Sequence, residues 1–443
     1  MFFFAVILCI FAKNAQISII MIIEFTVGNF LSFNEKRTIS FEAQGGVSEM
    51  KENVIKSDAC KLLRSLVIYG ANSSGKSNLI KALSMMKICV FESIKLNFSD
   101  KLEYYPFLLS TESTKQPTFF EIVFWDENQR FRYGFEYNLT EIVNEWLFVG
   151  KTPKTEKPLF IRTPEGIGVS DSFKEGKGLE EKTNENRLFL SKVADENGKT
   201  AKQIMDYFFN YNVLSGIEHD EYGGFSLKMF DLQSKGCGES LELFKKLRLG
   251  FKDIEIIETD FTPNDLPKNM SINLKTKITK NLSGTKTVSL NTVHNVYDKQ
   301  GKAVATLSWA QEEHESEGTK KIMDFSGPIF DTLSKGKTLI IDELDAKLHP
   351  LITIHIVKLF NNPNTNPNNA QLLFATHDTN LLSTDIFRRD QVWFAEKDDV
   401  EQTDLYSLDN FVFPDGTKVR KDANLEKNYI RGRYGAIPFI TNF

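Results

Sequence analysis

The pattern of apolar and polar residues predicts a chain that mixes strands and helices. Alternating or continuous apolar runs predict strands, and apolar residues three or four positions apart predict helices. The predicted segments before residue 150 are two short strands within 21–41, a buried strand at 62–70, a helix from Ser77, and an antiparallel hairpin of 118–125 and 131–137 turning at Glu127-Asn128. This order is typical of an α/β protein.

The second half of the pattern is less regular. We expect a strand-and-loop excursion over 150–185, a helical stretch over about 186–252, short strands over 254–310 that include 272–280, and helix, strand, helix, strand over 316–378. The polar run at 361–369 predicts a surface loop. No internal repeat is visible.

Composition is that of a soluble chain. The 443 residues carry a formal net charge of -5, which gives no argument for wholesale nucleic-acid binding. The cysteines are Cys9, Cys60, Cys89 and Cys237; they are scattered without CxxC or zinc-type spacing, so we predict a reducing cytoplasmic location.

Residues 1–20 form an apolar segment that precedes the first strand. It has no basic start and no clear cleavage site, and it is too short to span a bilayer. We interpret it as a non-native extension, with Met21 as the true initiator. A membrane-tethering segment is the alternative, although we expect no membrane association.

A phosphate-binding loop is the clearest chemical signal. The residues Gly70, Ala71, Asn72, Ser73, Ser74, Gly75, Lys76 and Ser77 match GxxxxGK[ST] between a predicted strand and a predicted helix. Backbone amides of such a loop face phosphate oxygens, the lysine reaches the β- and γ-phosphates, and the serine hydroxyl binds Mg²⁺. We expect ATP and Mg²⁺ here, with Asn78 also at the nucleotide; the alternative is a chance glycine- and serine-rich turn.

Two further apolar strands end in polar residues. The run 338–343 delivers Asp342, expected to hold Mg²⁺, and Glu343, expected to polarise the attacking water. The run 372–378 delivers His377, expected to contact the γ-phosphate and that water. An acidic helix cap and a structural histidine are the respective alternatives.

Together these residues resemble the ABC-type ATPase heads shared by SMC proteins, double-strand-break repair ATPases, RecF and OLD-family proteins. More narrowly, the chain resembles the prokaryotic AAA15 family of ATPases. The run DELDAKLHP at 342–350 is similar to the RecF and OLD branch in particular. The resemblance to AAA15 is supported by NFLSF at 29–33, YPF at 105–107, SEGTKK at 316–321, RRDQVWF at 388–394 and RGRYGAIP at 431–438, and the last two strings are the ones that narrow it.

The resemblance implies a fold and its boundaries. We expect an α/β ABC-type head, in which a mixed sheet with an antiparallel β-subdomain joins a parallel P-loop core, plus a helical insertion. The expected boundaries are 1–20 for the extension, 21–150 for the first half of the head, 151–310 for the insertion, helical at about 186–252, and 311–443 for the second half.

The resemblance also implies closure between two copies. In ABC-type heads a short signature touches the γ-phosphate of the nucleotide held by the other subunit; here it corresponds to Ser316 and Gly318, without the usual leading leucine. Two departures concern turnover: only Gln116 is available as the glutamine after the third strand, and 344–348, with Asp345, is not a close match to the D-loop.

The same resemblance implies that the protein is one component of a two-protein defence system. The region before Ser316 shows no sustained heptads, and no second acidic-strand set follows His377, so we expect neither a coiled-coil arm nor a Toprim nuclease domain. AAA15-type ATPases are commonly paired with a Toprim or RloB-like effector or toxin in anti-phage, abortive-infection systems, which predicts a homo-oligomeric sensor and scaffold.

Two alternatives stay open. One is a RecF-like DNA-repair ATPase, and the other is a nucleotide-gated scaffold with negligible turnover. DNA could contact the basic stretch Lys268, Lys275, Lys277, Lys280 and Lys286 together with Arg431 and Arg433, although solvated lysines on edge strands explain these residues equally simply.

Overall fold

A computed structural model describes residues 20–56, 60–126, 129–218, 222–263, 266 and 270–438. The chain divides into two compact units. The first contains the described residues up to Gly216, Lys335–Ala346 and those from Pro350 onward; the second contains Ile217–Ser334 and Lys347–His349. The expectations for residues 1–19, for the 127–128 turn and for Lys268 lie outside the described residues.

Both units contain strands. In chain order the strands are β1 (Met21–Gly28), β2 (Arg37–Ser40), β3 (Val54–Lys56), β4 (Lys61–Leu63), β5 (Ser65–Tyr69), β6 (Thr118–Asp126), β7 (Gln129–Tyr137), β8 (Ile142–Gly150), β9 (Lys157–Thr163), β10 (Gly166–Val169), β11 (Tyr211–Ser215), β12 (Asp253–Asp260), β13 (Lys286–Tyr297), β14 (Ala303–Ala310), β15 (Thr338–Asp342), β16 (Gln371–Ala375), β17 (Val392–Lys397) and β18 (Thr403–Ser407).

The helices lie between these strands. They are α1 (Lys76–Glu92), α2 (Phe189–Asp195), α3 (Lys199–Asn210), α4 (Gly223–Asp231), α5 (Cys237–Leu247), α6 (Ile272–Leu282), α7 (Gln311–His314), α8 (Glu317–Lys335), α9 (Pro350–Asn361) and α10 (Leu425–Ile430). None of the helices in the described part of the chain has the length and apolar content that a bilayer span requires.

The first unit contains two large sheets. One has the antiparallel order β10-β9-β8-β7-β6-β1-β2, and the other has the order β11-β15-β16-β5-β17-β18, parallel except for the β17–β18 pair. Strands β5, β15 and β16 are almost wholly buried, which explains why their sequences are continuous apolar runs rather than alternating ones. This arrangement confirms the expected α/β fold of an antiparallel β-subdomain and a parallel P-loop core.

Gln371 joins the two large sheets. Its buried side chain accepts a hydrogen bond from the amide of Ile22 at 2.7 Å and donates to the carbonyl of the same residue at 3.0 Å. The register of β1 against β6 shifts between Ile22 and Glu24, so the Gln371 amide satisfies backbone groups at this irregularity. The first residue of β16 is thereby fixed against the β-subdomain.

The second unit combines helices with a small antiparallel sheet of order β12-β13-β14. Helices α4 and α8 approach closely at Gly327, where an added Cβ would meet Ser226, and the Gly327 amide donates to the Ser226 hydroxyl at 3.0 Å. Of the range 151–310 expected as an insertion, residues 151–216 lie in the first unit and the described residues from Ile217 onward lie in the second. The insertion and its boundaries stay a prediction.

Several sequence predictions are confirmed and others are wrong. The strands flanking 29–33, the hairpin strands β6 and β7, and the helix-strand-helix-strand order after Ser316 are all present. The predicted strand at 62–70 is divided into β4 and β5. The stretch 186–252 is not wholly helical, because it contains β11, and residues 272–280 are not a strand but lie in α6.

Candidate functional site

The phosphate loop lies where the sequence predicts it, between β5 and α1. Its backbone has two left-handed residues, Ser73 at φ 63° and Gly75 at φ 110°. A Cβ on Gly75 would run into the side chain of Thr403, so this position requires glycine both for its conformation and for its space. The loop is therefore a tightly defined turn.

The first turn of α1 presents unpaired backbone amides. No side chain caps this 17-residue helix at its start, and a helix leaves its first N–H groups without intrahelical partners. The partial positive charge of the helix dipole falls at the same end. The backbone amides of Lys76, Ser77 and Asn78 thus lie at the positive end of the helix dipole, which is where anions bind in other proteins.

Lys76 folds back over the loop. Its Nζ donates to the carbonyl oxygens of Gly70 at 2.8 Å and Ala71 at 3.0 Å, and the residue is buried. Burial lowers the pKa of Lys76 to about 8, although the nearby carboxylates of Asp342, Glu343 and Asp345 act in the opposite direction. The ammonium group is therefore already close to the acidic strand.

Two residues that the sequence analysis did not select brace the loop. The Thr403 hydroxyl lies 2.9 Å from the carbonyl oxygen of Ser74 and 2.7 Å from the hydroxyl of Ser32. The Asn78 side chain donates to the same Ser32 hydroxyl at 2.8 Å. Ser32 stands in the NFLSF string, which could have indicated its importance, whereas Thr403 has no motif around it.

The acidic residues stand at the end of β15. The carbonyl of Asp342 accepts a hydrogen bond from the Gly216 amide at 2.7 Å, and a Cβ on Gly216 would collide with the carbonyl of Glu343. Glu343 has a φ of 53°, so the chain turns sharply at the residue expected to act on water. The Oδ1 atom of Asp342 is buried and has no hydrogen-bond partner among the described residues.

His377 follows β16. The Thr376 hydroxyl accepts from the Asp378 amide at 2.9 Å, which shapes the turn that presents the histidine. Although His377 is exposed, partial desolvation lowers its pKa, and the charge of Lys76 lowers it further; Asp345, Glu343 and Asp342 oppose this. The imidazole is therefore mainly neutral near pH 7.

Sheet order explains why these residues meet. Strands β15, β16 and β5 are parallel neighbours, so their carboxyl ends reach the same edge of the sheet. The structure thus brings together the P-loop with Lys76 and Ser77, the acidic pair Asp342 and Glu343, and His377. Gln116 is exposed, and the hydrogen bonds given for it are made by its backbone: its carbonyl accepts from the Asn29 side chain and from the Tyr104 hydroxyl, each at 2.6 Å, and its amide donates to the carbonyl of Ser113 at 3.1 Å.

Residues in and beside the strings near the C-terminus pack against the end of β5. The ring of Tyr429 stacks on Phe394 at 5.4 Å and lies 5.6 Å from that of Tyr69, the last residue of β5. Arg388 and Asp390 form a buried ion pair with an N–O distance of 2.7 Å. In the sequence, the string 388–394 indicated only a family resemblance. In the structure, Phe394 packs against Tyr429, and Arg388 and Asp390 pair with each other.

Ser316 and Gly318 lie at the start of α8 in the second unit. The exposed Ser316 hydroxyl caps the helix by accepting from the Thr319 amide at 3.2 Å. A Cβ on Gly318 would approach the carbonyl of Lys347, and the Lys347 ammonium contacts the Glu317 carboxylate at 3.0 Å. The signature-like residues thus occupy a helix N-terminus with an exposed serine.

Comparisons with solved structures find similar chains at low sequence identity. An SMC head bound to the C-winged helix domain of ScpA is 14% identical over 87% of this chain and 98% of that chain, with a TM-score of 0.43. The SMC head domain from Thermotoga maritima is 12% identical over 87% and 98%, with a TM-score of 0.39. The recombination mediator RecF-ATPrS of the RecFOR pathway is 12% identical over 87% and 98%, with a TM-score of 0.36.

No curated protein sequence matches this chain. A family profile does match: the family described as "AAA domain, putative AbiEii toxin, Type IV TA system" covers residues 65–383, from the start of β5 to beyond His377. That range contains the P-loop, the acidic strand and the histidine strand, and it is well over half of the 443 residues. The chain therefore belongs to this family of AAA-domain proteins, and its described residues form an α/β fold with the P-loop at the end of a strand in the parallel sheet.

Proposed function

We propose that the protein binds and hydrolyses ATP with Mg²⁺ at an interface between two copies of itself. One observation carries the proposal: three neighbouring strand ends bring a P-loop lysine, two carboxylates and a histidine together. Desolvation lowers the pKa values of Lys76 and His377, and the carboxylates of Asp342 and Glu343 act on both groups in the opposite direction. This combination of charges is what phosphoryl transfer to water requires.

The residues present fit a magnesium ion. A divalent cation of this kind takes oxygen ligands, and it supplies positive charge to the phosphates. The Asp342 Oδ1 atom is buried without a hydrogen-bond partner among the described residues, which is costly unless a cation or its water satisfies it. We assign Asp342 and the Ser77 hydroxyl as the groups that would hold the ion.

The remaining roles follow from charge and position. The loop 70–75, the first-turn amides of α1 and Lys76 hold the β- and γ-phosphates. Glu343 accepts the proton of the water that attacks the γ-phosphorus, and ADP leaves as the other product. Neutral His377 can donate from one ring nitrogen and accept at the other, so it suits a position between this water and the γ-phosphate.

Closure between two copies involves Ser316 and Gly318. Ser316 is exposed, caps a 19-residue helix, and stands beside first-turn amides that can receive an anion. We propose that this helix start contacts the γ-phosphate held by the other copy. Each nucleotide would then be enclosed by the P-loop of one chain and the signature of its partner.

The biological role that we propose is control of a separate effector. The family description names an AbiEii toxin and a type IV toxin–antitoxin system, which supports a defence function of the abortive-infection kind. The ATPase would act as cytoplasmic sensor and scaffold, and a Toprim or RloB-like nuclease or another toxin would act as effector. Co-expression of such a protein from a neighbouring gene should yield a complex whose stability depends on ATP.

A RecF-like role in DNA repair is the second candidate, and one observation favours it. Helix α6 has no buried residue and carries Lys275, Lys277 and Lys280. DNA that stimulates hydrolysis severalfold, with a stimulation lost in the triple lysine-to-glutamine variant, would support repair. Hydrolysis indifferent to DNA would leave the effector-control proposal.

The experiment that tests the enzymatic proposal is phosphate release measured as protein concentration is varied. If two chains build each site, the rate per chain should rise with concentration and then saturate. Lys76→Ala should abolish nucleotide binding and hydrolysis, whereas Lys81→Ala, an exposed lysine on the same helix, should leave both unchanged. A rate per chain that is independent of concentration down to low nanomolar protein would contradict the shared site.

A further inference from the structure

A cluster of three hydrogen-bond donors surrounds the residue immediately before Ser316. One carboxylate oxygen of Glu315, Oε1, lies 2.6 Å from the Thr292 hydroxyl, 2.9 Å from Nε2 of His294 and 3.2 Å from Nε1 of Trp309. The donors come from β13 and β14, which are paired so that Thr292 lies opposite Trp309. Residues from two adjacent strands thus converge on a single oxygen atom.

The surroundings fix this carboxylate firmly. The Glu315 side chain is 8% exposed, and Thr292 is fully buried. The ring centroids of His294 and Trp309 lie 4.0 Å apart, and that of His314 lies 5.4 Å from Trp309. Burying a carboxylate without hydrogen bonds costs free energy of folding, so these donors hold the Glu315 side chain in place.

The chain is also held on the other side of Ser316. The Glu317 carboxylate contacts Lys347 at 3.0 Å and Lys320 at 3.2 Å, and Gly318 packs against the carbonyl of Lys347. Ser316 therefore stands between two anchors: a buried one at Glu315 and an exposed one at Glu317. The buried anchor leads directly to the three-stranded sheet.

From this geometry we infer that Glu315 is a positioning residue for the signature serine. Its contacts with Thr292, His294 and Trp309 set the place from which Ser316 reaches the nucleotide of the other copy; this inference rests on the proposed function. The β12-β13-β14 sheet is thereby coupled to hydrolysis, because a shift of β13 or β14 moves Ser316. In this inference the cluster acts through Ser316 and not by contact with the nucleotide.

The test compares Glu315→Ala with Glu312→Ala, an exposed glutamate in the same short helix segment. Thr292→Val removes one donor without changing charge and serves as a milder variant. We expect Glu315→Ala to bind ATP with wild-type affinity, because the P-loop is unaffected, and to hydrolyse it about ten- to hundredfold more slowly. Thr292→Val should lie between Glu315→Ala and wild type, and Glu312→Ala should match wild type.

A double-mutant cycle distinguishes positioning from general stabilisation. Dimerisation constants with ATP are measured in the Glu343→Gln background for Ser316→Ala, Glu315→Ala and the pair. If Glu315 acts through Ser316, the double variant should associate as Ser316→Ala does, whereas independent effects would multiply. Thermal unfolding of each variant shows whether it is folded.

Two results would overturn the inference while leaving the proposed function intact. They are a Glu315→Ala protein with wild-type hydrolysis, and effects of Glu315→Ala and Ser316→Ala that multiply in full. Thr292→Val with full activity alongside an unfolded Glu315→Ala would also count against it. A wild-type protein that neither hydrolyses ATP nor associates with it would instead refute the proposed function, and this inference with it.

Discussion

Lys76 provides a prediction that comes directly from the geometry of the phosphate loop. Its ammonium is buried against two carbonyl oxygens, and burial lowers its pKa to about 8. Phosphate oxygens of a bound nucleotide add negative charge beside it, which favours the protonated amine and raises its pKa again. ATP binding should therefore draw a proton onto Lys76 whenever the free protein has lost it.

The size of this uptake follows from the pKa. At pH 8 about half of the free molecules carry a neutral Lys76, so binding should take up about 0.5 proton per site; at pH 9 it should take up about 0.9, and at pH 6.5 almost none. Binding must take up protons rather than release them, because only the protonated lysine binds the phosphates well. The apparent affinity should fall as pH rises through 8, by about tenfold between pH 7 and pH 9.

Isothermal titration calorimetry of the Glu343→Gln protein measures this uptake without hydrolysis. The binding enthalpy at pH 8 is compared in buffers of different ionisation enthalpy, and the slope gives the protons taken up. Lys87→Gln is the matched control, because burial lowers the pKa of Lys87 to about 8 as well but its ammonium donates to Tyr211. A zero or negative slope, or a slope lost in the Lys87 variant, would refute the reasoning.

Two further predictions concern the loop and the fold. Gly75→Ala should weaken ATP binding by more than about tenfold, because its φ of 110° and the nearby Thr403 side chain both exclude a Cβ. The control is Gly178→Ala, at φ 82° in open space, which should lower stability but keep ATP binding. Equal losses of ATP binding in the two variants would contradict the packing argument. Glu145→Ala should lower the free energy of unfolding in urea by about 2–4 kcal/mol, since the buried carboxylate accepts from a tyrosine hydroxyl and two amides at the start of α2. Glu165→Ala, at an exposed residue, should leave the free energy of unfolding nearly unchanged, and similar losses in the two variants would contradict this prediction.

The sequence predicted the parallel core well because its strands are continuous apolar runs that end in motif residues. The sequence did not predict β11, because Tyr211–Ser215 follows the helical residues of α3 without a break. Five residues are also too few to show the apolar–polar alternation of a strand. The pattern was misread at α6 because apolar Ile272, Leu274 and Ile278 stand at even spacing, and no residue of that helix is buried. That helix therefore has no buried face to impose a helical spacing on its apolar residues.

Long-range polar contacts were also beyond sequence reasoning. The loop 361–369 was predicted to be exposed, yet Asn366 is buried and its side chain holds the loop through Phe360 and Ala370. Gln371 and Thr403 act across hundreds of residues in the chain. Composition cannot reveal which of many polar side chains meets a backbone group, because this depends on sheet pairings formed only in the folded protein.

Dimer closure by nucleotide is the central claim, and the mass of the Glu343→Gln protein in solution tests it most directly. This variant should bind ATP and Mg²⁺ without hydrolysis, so light scattering after size exclusion should give a monomer near 50.6 kDa without nucleotide and twice that mass with ATP. Adding Ser316→Arg should restore the monomer while ATP still binds. The same mass with and without ATP, in protein shown to bind the nucleotide, would contradict the account.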